Sequence, residues 1–302
     1  MRTLFDAELN ADDRPLGAEQ LAAAFGRADV IVPTVSDVVD AEIIGHAGAK
    51  LKLLANFGVG VNHIDLQAAA NKGLMVTNTP DVLTEDTADL AMALILMAAR
   101  RLGEGERLAR GGGWSGWAPT QHLGQRVNGA RLGIIGMGRI GSALARRARG
   151  FGMAVHYHNR RPVDGALAAE LAATYWDNLD AMIGSVDILS VHCPLSPETH
   201  HLLSAERLAL MPPHGFVVNA SRGGIIDEAA LADVLRRGAI AGAGLDVFEA
   251  EPAIHRLLLG LENVVLLPHL GSATLAGRID MGMRVIANVE AFIAGDKPPD
   301  RL

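Results

Sequence analysis

Short runs of β-branched and other apolar residues alternate with longer stretches of helical periodicity along most of the chain. Nine of these runs are predicted to be buried strands: residues 28–33, 51–57, 75–77, 131–135, 153–157, 187–191, 215–219, 242–247 and 263–267. The helical stretches that separate them include residues 18–24, 84–100, 140–149, 228–236 and 276–294. Because alternating strands and helices build parallel sheets that are covered on both faces, the pattern predicts an α/β fold.

The chain is long enough for two domains at roughly 150 residues each. One boundary is expected at residues 78–83, where proline and polar residues precede a helix, and a second is expected near Leu270. The first domain is then discontinuous, with residues 1–82 and 270–302 forming the substrate domain and residues 83–269 the nucleotide domain. Residues 90–99 are apolar almost all round, which predicts a helix buried between two bodies. The glycine-rich residues 103–116 are expected to form a loop or arm.

Composition narrows the possible functions. Hydrophobic residues make up 49% of the 302 residues and charged residues 20%, which excludes a disordered or fibrous protein. The formal charge is −7 and no basic run is present, so generic binding to nucleic acid or to an anionic membrane is not expected. The sequence shows no signal peptide, membrane span or structural-zinc spacing, and its single cysteine, Cys193, has no partner for an internal disulfide. A cytoplasmic location and no metal are therefore expected.

A glycine fingerprint follows the predicted strand at 131–135 and opens a helix. It reads Gly136-Met137-Gly138-Arg139-Ile140-Gly141, which is G-x-G-x-x-G in a strand–turn–helix context. Gly136 permits the tight turn, Gly138 lets a pyrophosphate approach the backbone, and Gly141 lets helix and strand pack closely. The free N–H groups at the helix start favour phosphate, so the motif predicts a dinucleotide cofactor.

The tip of the next strand indicates which dinucleotide is bound. An NAD site usually has an acidic residue about 20 residues after the fingerprint, where it binds the ribose 2′-hydroxyl. This chain instead carries Asn159, Arg160 and Arg161 there. Because a guanidinium pairs with a 2′-phosphate, we expect NADP, with NAD as the alternative.

Three polar segments each follow a predicted strand, where open α/β sheets place their ligand chemistry. They contain Arg222, Glu251 and His269, which together form a plausible acid/base and carboxylate-binding set. Taken singly, each residue also has an ordinary explanation as a surface arginine, a loop acid or a hydrogen-bonded histidine. Cys193 as a nucleophile is disfavoured because its motif contains no base.

Collinear motifs over nearly the whole chain resemble the D-isomer-specific 2-hydroxyacid dehydrogenase family, and most closely its glyoxylate/hydroxypyruvate reductase branch. Beside the fingerprint they are NFGVGVNHID at 56–65, NTPDVLTEDTAD at 78–89, VHCPLSPET at 191–199, NASRGGIIDE at 219–228, GAGLDVFEAEP at 242–252 and LPHLGSAT at 267–274. The resemblance implies a Rossmann-type doubly wound parallel sheet and a smaller flavodoxin-like α/β domain. That smaller domain is expected to be shortened at the N-terminus, since the sequence starts inside the family pattern.

The resemblance also assigns roles in the reduction of a 2-keto acid. His269 matches the proton donor, Glu251 the carboxylate that orients it, and Arg222 the group that binds the substrate carboxylate and polarises its carbonyl. Glu251 is chosen over Glu249 because it directly precedes a proline. Further residues are implied in substrate binding (Val59, Gly60 and Trp117) and in cofactor binding (Thr87, Gly136, Gly138, Arg139, Ile140, Gly141, Asn159, Arg160, Arg161, Cys193, Pro194, Thr199, Ala220, Ser221, Asp246, Gly271 and Ser272).

Two tryptophans bear on assembly. Related reductases carry a W-x-x-W-x-P arm, which here is Trp114 to Pro119, and its second tryptophan reaches the neighbouring subunit's active site. The resemblance therefore implies a homodimer in which Trp117 closes the partner's pocket. A core or interface tryptophan without substrate contact is the alternative.

Other functions remain open at this stage. Formate dehydrogenases share the fold but have glutamine where this chain has Glu251. Phosphoglycerate dehydrogenases often carry a C-terminal regulatory domain, for which too few residues follow His269. A dinucleotide-sensing binding protein of the same fold, or another D-2-hydroxyacid dehydrogenase that uses NADH, fits the motifs as well.

Overall fold

The computed structural model describes residues 3–302, which fall into two compact units. Unit 1 comprises the chain up to Leu83 together with Thr274–Leu302, and unit 2 is Thr84–Ala273. The sequence places the corresponding boundaries after residues 82 and 269. No helix within residues 3–302 combines the length and the apolar character that crossing a membrane requires.

Unit 1 is a small parallel α/β structure. Its strands are β1 (Val30–Ile31), β2 (Leu53–Ala55) and β3 (Met75–Thr77), paired in that order, and its helices are α1 (Ala18–Arg27), α2 (Ala41–Gly45), α3 (Leu66–Asn71) and α12 (Leu275–Ile293). Successive residues of a strand face opposite sides of a sheet. Leu54 accordingly packs with the cluster around Phe25, whereas Leu53 and Ala55 pack against Val285 and Val289 of α12.

Unit 2 contains a seven-stranded, fully parallel sheet in the order β10-β9-β8-β7-β4-β5-β6. The strands are β4 (Arg131–Ile135), β5 (Ala154–His158), β6 (Thr174–Tyr175), β7 (Ile188–Val191), β8 (Phe216–Asn219), β9 (Gly242–Leu245) and β10 (Val264–Leu266). The chain passes from β4 outward to β6 and then returns to the other side of β4. The chain thus reverses direction across the sheet at the paired strands β4 and β7, and an open α/β sheet forms its ligand crevice outside the carboxyl ends of such strands. The predicted doubly wound fold is confirmed.

Helices cover both faces of this sheet. They are α4 (Thr84–Ala99), α5 (Leu102–Arg110), α6 (Arg139–Gly150), α7 (Gly165–Leu171), α8 (Leu179–Ile183), α9 (Ala205–Leu208), α10 (Glu228–Arg236) and α11 (Arg256–Leu259). As its apolar sequence predicts, α4 is largely buried, and it packs on α6, β8 and β9. A Cβ atom on Gly244 of β9 would lie 3.1 Å from Cβ of Leu94, so glycine lets helix and strand approach closely. The position of α4 between two bodies stays a prediction.

The glycine-rich segment differs from the prediction. Residues 103–116 were expected to be a loop or arm, but α5 occupies Leu102–Arg110. Ion pairs between Arg110 and Glu106 on the helix and between Arg107 and a residue outside it, Glu262, offset part of the low helix propensity of its two glycines. Only the part after Arg110 has no regular secondary structure.

Candidate active site

The three segments with the predicted catalytic residues follow three neighbouring strands. Arg222 follows β8, Glu251 follows β9 and His269 follows β10, and these strands are adjacent in the sheet. The carboxyl ends of parallel strands lie at one edge of a sheet. The topology therefore brings the three side chains to the same edge of unit 2.

His269 and Glu251 form a hydrogen-bonded pair. Nδ1 of His269 lies 2.8 Å from Oε2 of Glu251, while Oε1 of Glu251 accepts a hydrogen bond from the Phe248 N–H at 3.0 Å. Burial raises the pKa of Glu251, but the hydrogen bond to His269 and the charges of His269 and Arg222 outweigh it, so the pKa lies below its ordinary value. Glu251 is thus an anion that holds the imidazole by Nδ1 and leaves Nε2 as the ring atom for proton transfer.

Arg222 is held beside this pair. Burial lowers the pKa of its guanidinium and the charge of Glu251 opposes that shift, and the group stays protonated as arginine does in proteins. Its Nη1 donates to the carbonyl of Ser221 at 2.7 Å. A partly desolvated cation next to a histidine is suited to bind a carboxylate and to polarise a carbonyl.

Asn219, the last residue of β8, was not predicted as a site residue. Its side chain is buried, donates from Nδ2 to the Arg222 carbonyl at 2.9 Å and accepts from the Ser221 N–H at 3.0 Å. It thereby fixes the turn that presents Arg222. Asparagine commonly forms such local bonds at the end of a strand, which is the signal that could have identified it.

A second polar residue shapes the turn at His269, whose φ of 56° lies in the left-handed region. The carboxylate of Asp246 is buried and accepts from the Leu270 N–H at 2.7 Å and from the Gly271 N–H at 2.8 Å. Thr87 donates to the carbonyl of Gly271 at 3.1 Å. The structure therefore places Thr87, Asp246 and Gly271 in one network behind His269, and their contact with a cofactor stays a prediction.

The fingerprint turn after β4 has the geometry that a pyrophosphate needs. Gly136 has a φ of 97°, and a Cβ atom there would lie 2.5 Å from the Cys193 nitrogen. At Gly141 a Cβ atom would lie 2.4 Å from the Gly136 carbonyl oxygen, whereas the space at Gly138 is open. Helix α6 begins directly after Gly138, which supplies no side-chain cap. Open backbone at an uncapped helix start fits the phosphates of a dinucleotide.

The end of β5 lies next to this turn. Asn159 accepts from the Met137 N–H at 2.7 Å and so ties the fingerprint to the tip of β5. Arg160 and Arg161 follow and are exposed. Their placement beside the turn fits a role at the adenosine ribose, which stays a prediction.

The segment after β7 runs against the fingerprint. Ser221 donates to the Cys193 carbonyl at 2.6 Å, and Thr199 donates to the Pro194 carbonyl at 2.7 Å. Burial raises the pKa of the Cys193 thiol to about 11, which agrees with the expectation that it is not a nucleophile. Burial also lowers the pKa of His192 to about 4, so its ring is neutral near pH 7.

The other predicted residues are more scattered. Val59 and Gly60 belong to unit 1, where their carbonyls accept from the side-chain amides of Asn78 at 2.9 Å and Asn56 at 3.1 Å. Trp117 lies in the irregular segment after α5 with 83% of its surface exposed. Arg139, Ile140, Ala220 and Ser272 lie at the same edge of unit 2 as the fingerprint and the His269 turn. Their individual roles stay predictions.

Comparison with known proteins identifies the family. The family model described as D-isomer specific 2-hydroxyacid dehydrogenase, NAD binding domain, matches residues 92–271. The glyoxylate reductase of Thermococcus onnurineus is 43% identical over 303 aligned positions, which cover 99% of this chain and 90% of the relative.

Solved structures agree in fold and sequence. One is an NADPH-dependent glyoxylate/hydroxypyruvate reductase from Sinorhizobium meliloti, in complex with NADP and malonate. It has a TM-score of 0.86 at 38% sequence identity, and the match covers 95% of this chain and 87% of the reductase chain. A glyoxylate reductase from Paecilomyes thermophila has the same TM-score at 32% identity, covering 94% and 87%. The chain therefore belongs to the D-isomer-specific 2-hydroxyacid dehydrogenase family and is an NAD(P)-dependent oxidoreductase.

Proposed function

We propose that this enzyme reduces a small 2-keto acid, glyoxylate or hydroxypyruvate, to the corresponding 2-hydroxy acid with NADPH. The observation that carries this proposal is the 2.8 Å pair of His269 and Glu251 beside a half-buried Arg222. The names of the similar enzymes from Thermococcus onnurineus and Sinorhizobium meliloti support the choice of substrate.

Each of the three side chains has a different role in the reduction. A bound nicotinamide supplies the hydride for C2 of the keto acid. Arg222 binds the substrate carboxylate and stabilises the negative charge that develops on the carbonyl oxygen. His269 gives its proton to that oxygen, and Glu251 stabilises the imidazolium and fixes its tautomer. The same groups serve the reverse oxidation, with His269 as the base.

Substitution of the proton donor tests this assignment. We expect His269→Ala and Arg222→Ala each to lower kcat/KM for glyoxylate by roughly 10²–10⁴-fold, because general acid catalysis contributes about that factor. NADPH binding, followed by its fluorescence, is expected to stay unchanged. His214→Ala is a matched control, since His214 pairs with Asp187 before β8, at the opposite end of the strand from Arg222. A loss below tenfold in His269→Ala would contradict the assigned role.

We also propose NADP as the preferred cofactor, on the grounds of the strand tip that follows the fingerprint. Arg160 and Arg161 are exposed there, and no acidic residue occupies the positions from His156 to Arg161. Two cations favour a 2′-phosphate that a carboxylate would repel.

The third part of the proposal is a homodimer whose interface includes the segment from Gly103 to Pro119. Trp114 and Trp117 are 60% and 83% exposed, and none of the residues of α5 is buried. Large exposed aromatic rings on a segment with little core of its own favour burial against a partner surface. We place Trp117 near the partner's substrate pocket.

A further inference from the structure

A buried carboxylate lies behind the proposed catalytic set and takes no part in it. Glu228 is the first residue of α10, and only 5% of its surface is exposed. Glutamate is rarely buried to this degree unless it is paired. Its Oε1 accepts a hydrogen bond from the Glu249 N–H at 2.7 Å, and within residues 3–302 no lysine or arginine contributes to the shift of its pKa. Its main partner is thus the backbone of another segment.

That segment carries Glu251. Glu228 accepts from the amide of Glu249, two residues before Glu251, and the backbone amide of His255 further along the same stretch also favours its ionised form. Burial raises the pKa of Glu228, and the charge of Glu249 raises it further, while the two amides and His255 oppose the increase. The Glu249 side chain pairs with His201 rather than with Glu228. The carboxylate of Glu228 therefore binds the backbone of the segment that contains Glu251.

The opposite side of the same peptide rests on the segment of Arg222. A Cβ atom on Gly223 would lie 1.9 Å from the Phe248 carbonyl carbon and 2.3 Å from the Glu249 nitrogen. Backbone therefore touches backbone at this point, and only glycine permits it. The Phe248 N–H in turn donates to Glu251. The contact at Gly223 limits how close the two segments come, and the hydrogen bond of Glu228 keeps them from separating.

We propose that Glu228 is a positioning residue that, together with the backbone contact at Gly223, sets the placement of Glu251 relative to Arg222 and His269. The inference rests on the proposed roles of those three residues. An acid in the first turn of a helix also favours the helix dipole. Such a purely structural role predicts a change in stability without a change in the pH dependence of catalysis.

Three substitutions separate these roles. Glu228→Gln keeps a carbonyl oxygen that can accept from the Glu249 N–H. Glu228→Asp keeps the charge at the helix start, but its side chain is one methylene shorter, so the carboxylate lies farther from the Glu249 N–H. Glu228→Ala removes the carboxylate altogether. Asp233→Ala is the control, because Asp233 lies on the same helix, is 46% exposed and pairs with Arg236 and Arg237 at the far end of that helix. For each variant we would measure kcat, both KM values, the pH profile of kcat and Tm.

We expect Glu228→Asp and Glu228→Ala to lower kcat for glyoxylate at least about tenfold, since a displacement of about 1 Å can lower a rate by as much as 10²-fold. The KM for NADPH should change by less than about twofold. The alkaline limb of the pH profile should move down by roughly half a unit or more, because a displaced Glu251 stabilises the imidazolium less. Glu228→Gln should stay within about threefold of the parent enzyme, and Asp233→Ala should match it.

The outcomes distinguish this inference from the proposed function. If Glu228→Asp keeps the parent kcat and pH profile while His269→Ala is inactive, the positioning role is wrong and the catalytic assignment stands. If His269→Ala itself remains active, the catalytic assignment fails, and the positioning role fails with it. If Glu228→Ala does not fold, comparing kcat and the pH profile of Glu228→Asp with those of Glu228→Gln still tests the positioning role. Equal losses in those two variants would overturn the proposal, and rescue by glutamine alone would support it.

Discussion

His192 should make the folded state of unit 2 sensitive to acid. The residue follows β7, and its Nε2 lies 2.8 Å from the hydroxyl oxygen of Ser190. Burial lowers the pKa of His192 to about 4, whereas an unfolded histidine titrates near 6.5. Well above pH 6.5 both states are neutral at this position, and its titration does not affect stability. As pH falls from 6.5 towards 4, the unfolded state takes up a proton that the folded state excludes, so stability is lost across that window.

The magnitude follows from the two pKa values. Between pH 7 and pH 5 the linkage lowers the free energy of unfolding by about 2 kcal/mol, and by pH 4 the loss is about 3 kcal/mol. His192→Gln removes the titration and keeps an amide that can reach Ser190. We therefore expect the variant to lose about 2 kcal/mol less than the parent between pH 7 and pH 5.

Urea unfolding followed by tryptophan fluorescence tests this expectation. Trp114, Trp117 and Trp176 all lie in unit 2, so the signal reports the unit that contains His192. Comparing pH 7 with pH 5 within each protein cancels any constant effect of the substitution. Groups with lowered pKa values, such as Glu251, are common to both proteins and cancel as well. An equal loss of stability in parent and variant would refute the lowered pKa of His192.

Three further predictions address the thiol, the cofactor and the assembly. Cys193, whose pKa burial raises to about 11, should react with iodoacetamide at pH 8 about two orders of magnitude more slowly in the folded enzyme than in urea, and equal rates would contradict its burial. NADPH should exceed NADH in kcat/KM by about tenfold or more, and Arg160→Ala with Arg161→Ala should remove most of that preference; higher kcat/KM with NADH would show that the strand tip was misinterpreted. Light scattering at micromolar concentration should give a dimer, and Trp117→Ala should change the KM for hydroxypyruvate and glyoxylate unequally while leaving that for NADPH alone; a monomer would remove the basis for the interface.

Long periodic elements were predictable from the sequence because packing and pattern agree. Helix α12 repeats buried residues at Met281, Val285 and Val289 with Asn288 beside them, the spacing of three and four that lies on one face of a helix. All nine predicted strands overlap observed ones. The two-residue β6 was missed, as were short helices such as α2 and α8, since elements of two to five residues carry too few positions to establish a period.

The glycine-rich segment shows why local composition misleads. Gly103 and Gly105 predict irregular structure, because each lowers helix stability by roughly 1 kcal/mol relative to alanine. The pairing of Arg107 with Glu262 connects residues far apart in the chain, so no local window contains that stabilisation. The prediction of a loop was wrong for Leu102–Arg110, where this ion pair and the packing of α5 on α4 both lie outside the local sequence pattern.

The residues of the candidate site also differ in whether the sequence identifies them. Arg222, Glu251 and His269 were identifiable because each follows a strand and carries a chemically distinctive side chain. A second group of residues supports the site through buried side-chain oxygens. Each oxygen accepts a hydrogen bond from a backbone N–H in a loop of the site: Ser221 for Asn219, Glu249 for Glu228 and Leu270 for Asp246.

A backbone N–H is present at almost every position, so the sequence cannot show which one a carboxylate binds. Glu228 is the clearest case, because an acid at the start of α10 is expected to be exposed and to serve the helix dipole. Only the close approach of Gly223 to the Phe248–Glu249 peptide brings that carboxylate within 2.7 Å of the Glu249 nitrogen. The proposed reacting groups can thus be identified from residue type and strand ends, whereas the buried acceptors proposed to set their spacing bind donors that become apparent only in the folded chain.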